Sequence, residues 1–340
     1  MDFVSQRSLN IHNTHVQILS QLFEAFHFSH TALFEAVVQP VLFSLGFAGH
    51  IEWAFDATFW FLVGAIEISL LWIFVGTAQR FWPVEPIRDK KTVRTDFIYT
   101  LIHRLGGFTI LAYILTQPLA DDLQAGLSSL GFEPFNLERL IPGVTDVAWV
   151  SFALYFLVFD LIEYWVHRAQ HQWEWWWALH SLHHSQQQMT VWSDNRNHLL
   201  DDLLRDGLFV FIALLIGAAP AQFITWIVLS RAMQSLQHAN LRWRFGGILE
   251  RLVVSPSFHR LHHAIGVGHE GRQFGCNFGV VLSCWDVLFR SGNWRAGFVP
   301  TGVSDQLRGA DYGAGFWHQQ WLGFGRMKRA LIKSNKVKIS

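Results

Sequence analysis

Apolar runs separated by short polar stretches divide this chain. Residues 1 to 31 form a polar-to-amphipathic lead-in, with Asn10, His12, Asn13 and His15 where a signal peptide would need an apolar core. Ala32 to Gly49 is apolar apart from Glu35 and Gln39, and at about 18 residues it is of marginal length for a span. Ala57 to Thr77 is a better span with one charge, Glu67, and Phe97 to Pro118 and Val147 to Val166 follow as further spans. Leu208 to Leu236 is apolar for nearly its whole length, but Gly217-Ala-Ala-Pro220 interrupts it and leaves two halves, each too short to cross upright. This predicts a helical hairpin that dips into the bilayer and returns to the face it left. No sustained alternation argues for a sheet. The expectation is an all-α, multi-pass transmembrane bundle of about four spans plus that hairpin, with a histidine-rich metal-binding cap.

Composition agrees. Of 340 residues 51% are hydrophobic and 15% charged, well under the roughly 25% of a soluble protein. Mean hydropathy is positive. The formal charge is zero, without the basic balance of a nucleic-acid partner. Cys276 and Cys284 are too few for a disulfide framework and read as buried, reduced thiols. The segment Arg80 to Arg94 is basic and Ala120 to Thr145 acidic. The positive-inside rule therefore puts the first in the cytoplasm, the second outside, and the end of the next span at His167 back in the cytoplasm. The basic tract Arg326 to Lys338 agrees with a cytoplasmic C-terminal part.

Eight of the 18 histidines fall into three groups: His167 and His171; His180, His183 and His184; His259, His262 and His263. In a helix, i, i+3 and i+4 share a face, so each group presents its imidazoles together. Neutral imidazole is the common nitrogen ligand of zinc, copper, iron and nickel, and eight suffice for two ions. From the residues alone, three readings stay open. One is a two-metal enzyme. Another is a membrane zinc hydrolase, which would want a general base that no carboxylate within the groups supplies. A third is a metal transporter, which predicts histidines inside spans, as His103 is. Trp173, Trp175, Trp176 and Trp177 suit interfacial anchoring or the mouth of a lipid channel. Gly266-Val-Gly268-His-Glu-Gly271 matches a dinucleotide fingerprint, but no βαβ unit surrounds it.

The motifs His167-Arg-Ala-Gln-His171, His180-Ser-Leu-His183-His184 and His259-Arg-Leu-His262-His263 resemble the three histidine boxes of the fatty acid hydroxylase and sterol desaturase superfamily. Arg94-Thr-Asp96, Asp160 to Trp165, Gln237-His238-Ala-Asn240, Asn277-Phe-Gly279 and Trp285 to Phe289 extend the resemblance over about Arg94 to Ser291. It implies a membrane region at 1–93, a catalytic domain at 94–291 and a cytoplasmic tail at 292–340. It also implies a di-iron centre, O2 as co-substrate, and hydroxylation or desaturation of a membrane lipid that is sterol-like, fatty-acyl or an ether lipid. No flavin or haem domain is evident, so electrons would come from a separate donor resembling a ferredoxin or cytochrome b5. By position, the eight box histidines and His238 are the implied ligands. His198 is a further candidate in Asn195-Arg-Asn-His198, where Leu199 departs from the family's proline, and His269 reads as a loop histidine. Glu163 and Asp160, one and two turns before His167, are expected to orient ligands through their free N–H, with Asp286 and Asn240 in a similar outer role.

Overall fold

The computed structural model describes residue 17 and residues 20–266, 275–295 and 297–339, with side chains as far as 333. The lead-in up to residue 16, His269 and most of the glycine run after Gly266 lie outside the described residues. Among those described, the chain is helical and has no strand, only one isolated bridge between Ala264 and Thr301.

The chain divides into two compact units. One comprises the residues up to Ile66 with Arg104–Gly106, and the other the remainder. In the first, Ala32 to Gly49, of marginal length for a span, is not among the described helices long and apolar enough to cross a membrane. The helix passes through a π-helical stretch, Phe34–Val38, and ends after Gln39–Ser44, where Gly46 takes a φ of 77°. The helix is unbroken from residue 20 to Ser44, and the left-handed glycine closes it at little steric cost. His30 is buried in this unit, its Nε2 2.9 Å from the Phe55 carbonyl and its ring against Phe55.

Among the described residues two helices are long and apolar enough to cross a membrane, α1 (Ala48–Phe81) and α4 (Ala148–Gln172). The expected Phe97 to Pro118 span is α2 (Lys90–Arg104) and α3 (Gly107–Ser129), bent by 48° at the break between them. Counted as one span, the pair raises the number to three, against the four expected. Large side chains on α1 are bare, Trp72 and Phe74 both about two-thirds exposed, as suits a surface facing lipid rather than water.

The second unit holds α5 (Glu174–His184), α6 (Leu199–Leu215), α7 (Pro220–His238), α8 (Pro256–His262), α9 (Cys284–Leu288) and α10 (Phe316–Ile339). The interruption at Gly217 to Ala219 separates α6 from α7 as the sequence indicates, with Pro220 at the first position of α7, where its missing N–H costs nothing. Phe209 stacks on Trp226 across the two, and Phe159 of α4 completes this aromatic core. A polar core lies beside it. Asp96, fully buried on α2, pairs with Arg196 and accepts from Ser193 Oγ. Arg94, its neighbour in the Arg-Thr-Asp motif, is exposed instead.

Removing one partner of a buried ion pair leaves the other charge uncompensated, at about 3–5 kcal/mol. Arg196→Ala is therefore expected to lower the melting temperature of the detergent-solubilised protein by roughly 5–15 °C, and Arg94→Ala to leave it nearly unchanged. Equal effects would show that Asp96 is held by something other than Arg196.

Candidate metal centre

Each histidine group is placed by a different local device. His167 and His171 lie one turn apart at the end of α4, and both are buried. Trp173 breaks the helix, and α5 then carries His180, His183 and His184, all buried. The seven-residue α8 starts at Ser255, whose hydroxyl accepts from Phe258 N (3.1 Å) as an N-cap, and Pro256 follows at N1. That start sets the angle at which His259, His262 and His263 enter. His238 ends α7.

The imidazoles converge into two sets, His167, His171, His184 and His262, and His183, His238, His259 and His263. Within each set the ligand-capable nitrogens all lie within 4.8 Å of one another. Box two gives His184 to the first set and His183 to the second, and box three gives His262 to the first and His259 and His263 to the second. Neighbouring residues on a helix point about 100° apart, so a His-His doublet serves two sites from one position. The His184 and His263 rings stack at 4.3 Å, which joins the sets.

The donor atoms fit bound cations. In the second set the Nε2 atoms run from His183 to His238 (3.0 Å), His238 to His259 (3.0 Å) and His259 to His263 (3.1 Å). His238 spends its single proton on the Gln234 carbonyl, with Nδ1–H donating over 2.7 Å, so its Nε2 is a bare lone pair. The Nδ1 atoms of His183, His259 and His263 are buried without a partner, so no arrangement of protons satisfies the whole chain of contacts. A cation taking up the four lone pairs does. Two nitrogens bound at about 2.1 Å and at right angles are about 3.0 Å apart, the spacing seen here. In the first set, His167 Nδ1–H donates to the Phe278 carbonyl (3.0 Å) and His262 Nδ1–H to the Cys276 carbonyl (2.7 Å), which leaves Nε2 as the ligand atom of each.

Those two carbonyls belong to one loop, built around Asn277-Phe-Gly279. Asn277 sits at φ 60°, a conformation asparagine tolerates, and Nδ2 donates to Phe258 O while Oδ1 accepts from Asn293 N. A Cβ at Gly279 would stand 2.6 Å from the Leu282 carbonyl and 2.8 Å from Asp286 Oδ2. Asp286 accepts from Phe278 N, Gly279 N and Ser291 Oγ at 2.6–2.8 Å, and burial pushes its carboxyl up to about 6. Its role is thus one step removed, fixing the loop whose carbonyls fix two histidines. Cys276 is buried, which pushes its thiol up to about 12, as suits an inert reduced cysteine.

The other expected orienters do different work. Asp160 accepts from Val281 N (3.0 Å), Leu282 N (3.1 Å) and Trp285 Nε1 (2.8 Å), clamping the segment after that loop. Glu163 faces Arg205 (2.6 Å). Asn240 accepts from Val84 N and Glu85 N and donates to the Glu85 carbonyl, pinning the chain between α1 and α2. None of the three bonds a box histidine. That part falls to Asp201, which the sequence reading missed. It is buried in the first turn of α6 and accepts from His180 Nδ1 (3.0 Å), Gln170 Nε2 (2.7 Å) and Trp176 Nε1 (2.6 Å). An acid in a first helical turn reads by default as a partner of the helix dipole, so nothing local marks it.

His180 itself joins neither set. Its ring stands 5.0–5.4 Å from those of His167, His171, His183 and His184, and its Nε2 is buried without a partner, lining a polar cavity of about 60 Å³ with Glu163, Asp202 and Arg205. His198 is not among the convergent histidines. Its Nε2–H donates to the Gln320 carbonyl (2.8 Å) and its Nδ1 caps α6 by accepting from Leu200 N (3.2 Å), so both nitrogens are used. His103 faces Asp202 (2.8 Å) and the Tyr99 carbonyl (2.8 Å) and belongs to neither set. The tryptophans divide: Trp176 and Trp177 are buried, Trp177 against His171 and His184, while Trp173 is half exposed.

Residues 152–291, which contain both sets, match the family model for fatty acid hydroxylases. That segment is similar to a fatty acid hydroxylase domain. Ornithine lipid hydroxylase OlsE of Rhizobium tropici is 29% identical over 238 residues, 65% of this chain and 67% of the relative. Alkylglycerol monooxygenase of Danio rerio is 31% identical over 147 residues, 42% of this chain but 30% of the relative, and fatty acid hydroxylase vlmA of Lecanicillium sp is 27% identical over 161 residues, 42% of each. The chain thus spans about two thirds of the first relative's length and less than half of the other two. No solved structure matches.

Burial, with neighbouring histidines acting in the same direction, holds His183, His184, His259 and His263 well below the usual imidazole range. The folded metal-free chain keeps them neutral while the unfolded chain protonates them below their ordinary value of 6.5. Stability is therefore full above that pH and falls as pH drops through it, by up to about 1.4 kcal/mol per pH unit for each ring. Chelator-treated protein is expected to melt at constant temperature above about pH 7 and at steeply lower temperature towards about pH 5. A melting temperature that holds to the acid end would overturn the neutral assignment. His198→Asn, which keeps a helix cap, is expected to leave metal content at the wild-type level; lost metal would return His198 to the ligands.

Proposed function

We propose that this chain is a membrane-bound, O2-dependent lipid hydroxylase with two iron ions. The observation that carries the reading is the pair of four-histidine sets, side by side, buried, and free of carboxylates. His167, His171, His184 and His262 would hold one ion and His183, His238, His259 and His263 the other. Iron, when bound, supplies the redox chemistry for attacking an unactivated C–H bond, which side chains alone cannot. The protein's own contribution is orientation and exclusion of water. The Phe278, Cys276 and Gln234 carbonyls fix which nitrogen of His167, His262 and His238 faces inward, Trp177 covers the rings of His171 and His184 with apolar surface, and Phe278 adds to it at His171.

Insertion of one oxygen atom, with the second leaving as water, consumes two electrons and two protons. A separate one-electron donor such as a ferredoxin or cytochrome b5 would supply the electrons. Hydroxylation is favoured over desaturation because the relatives are named hydroxylases and a monooxygenase, and all three names specify lipids. An acyl or alkyl chain is the favoured substrate, entering sideways from the bilayer. The basic segment Arg80 to Arg94 supports a cytoplasmic position for the histidines.

Elemental analysis of the detergent-purified protein, with Mössbauer spectra of an iron-57 sample, is expected to give about two coupled irons per chain. Lipids from cells expressing the chain should gain a hydroxylated product containing one atom from labelled O2. His183→Ala and His262→Ala should each lower metal content and abolish that product. Stoichiometric zinc with no iron after anaerobic reconstitution would sink the reading, as would full activity in either variant.

A further inference from the structure

The C-terminal helix α10 presents two opposed faces. Phe316, Gln319, Gln320 and Gly323 are buried. Gln320 alone accepts from Leu199 N and His198 through its side chain and carbonyl, and donates to the Tyr99 hydroxyl. Arg326 donates to the Ala178 carbonyl of α5. The other face is bare and aromatic: Trp317 is 78% exposed, Trp321 76% and Phe324 44%. These three fall at i, i+4 and i+7, one stripe, which Lys328 continues at i+11, and Arg329 and Lys333 are exposed further round the helix, about 100° and about 140° from Lys328. From Phe316 to Ser340 the sequence contains six Lys and Arg and not one Asp or Glu. Aromatic rings followed by lysine and arginine along one helix are what an anionic bilayer surface selects, rings at the headgroup level and cations on the phosphates.

Position supports the same occupant. α4 ends at Gln172 and α5 begins two residues later, so α5 lies where that span leaves the membrane, on the reading of Ala148–Gln172 as a span. α10 packs along α5, and packed helices lie about 8–10 Å apart. We infer that α10 is an interfacial helix whose Trp317, Trp321 and Phe324 edge seats in the headgroup layer of an anionic bilayer, with Lys328, Arg329 and Lys333 on lipid phosphates. Through Arg326 and Gln320 the same helix buttresses α5 and the start of α6, so the lipid surface helps to hold His183 and His184 in place.

The test uses the full chain in lipid nanodiscs, with an environment-sensitive fluorophore on Trp321→Cys in a Cys284→Ser background. A second label on Arg308→Cys, an exposed position outside the helix, serves as the aqueous reference. The label at 321 is expected to emit to the blue of the one at 308 and to be protected several-fold from aqueous cobalt. Protection should grow at least two-fold as phosphatidylglycerol replaces phosphatidylcholine. Lys328→Gln, Arg329→Gln and Lys333→Gln together should remove that dependence on lipid charge. Equal quenching at 321 and 308 in both lipids would overturn the proposal. So would protection that appears only when an acidic redox protein is added, which would make the face a protein-docking surface. Should the triple variant lose its bound metal, the lipid response of the unsubstituted chain decides. The readout uses no turnover, so failure of the oxygenase reading would leave this one standing.

Discussion

Eight imidazoles cannot be brought together out of water unless something other than the rings themselves takes up their lone pairs. The fold is arranged around that demand. Each ring has one proton to place and one lone pair to aim, and for His238, His262 and His167 the chain settles the first by supplying carbonyls from Gln234, Cys276 and Phe278. These come from α7 itself, one turn before His238, and from the loop after α8, which reaches back 111 residues to His167 on α4 and 14 to His262 on α8. The remaining lone pairs converge, and a cation in each set satisfies what the protein leaves open.

The loop at Asn277-Phe278-Gly279 shows how little freedom that leaves. Its two carbonyl contacts need the backbone to pass within contact distance of Asp286 and Leu282, which a side chain on residue 279 would prevent. Asp286 ties the loop from one side and Asp160 ties the segment after it from α4. Both carboxylates act on the backbone, and the histidines feel them only through it.

Much of the site was legible in the chain. The i, i+3 and i+4 spacings are a property of the helix itself, so the grouping of the box histidines followed from periodicity, and the resemblance added His238. The outer partners were not legible. Glu163 and His167 share a helical face, but Glu163 meets Arg205, 42 residues on, and no local pattern reports such a contact. His198 sits in a histidine-rich neighbourhood, yet its ring closes the start of α6. Asp201 looked like any acid in a first helical turn. For the fold, helix content and the break at Gly217 came from composition and glycine–proline chemistry. The number of spans did not, because apolarity over Ala32 to Gly49 says nothing of the glycine at 46 that closes the helix there.

Two of the three boxes end in adjacent histidines, and each of those doublets divides between the two sets. The centre therefore has no half that could stand alone. A single-ion ancestor joined to a copy of itself would give two sites on separate helices, whereas here α5 and α8 each belong to both. A drift of one residue in the register of either helix would carry one ring of the doublet into the other site. It would also set Leu182 or Ser185 at the α5 doublet, or Leu261 or Ala264 at the α8 doublet, where a histidine had stood, so insertions are expected to collect in the loops between the boxes and never within them.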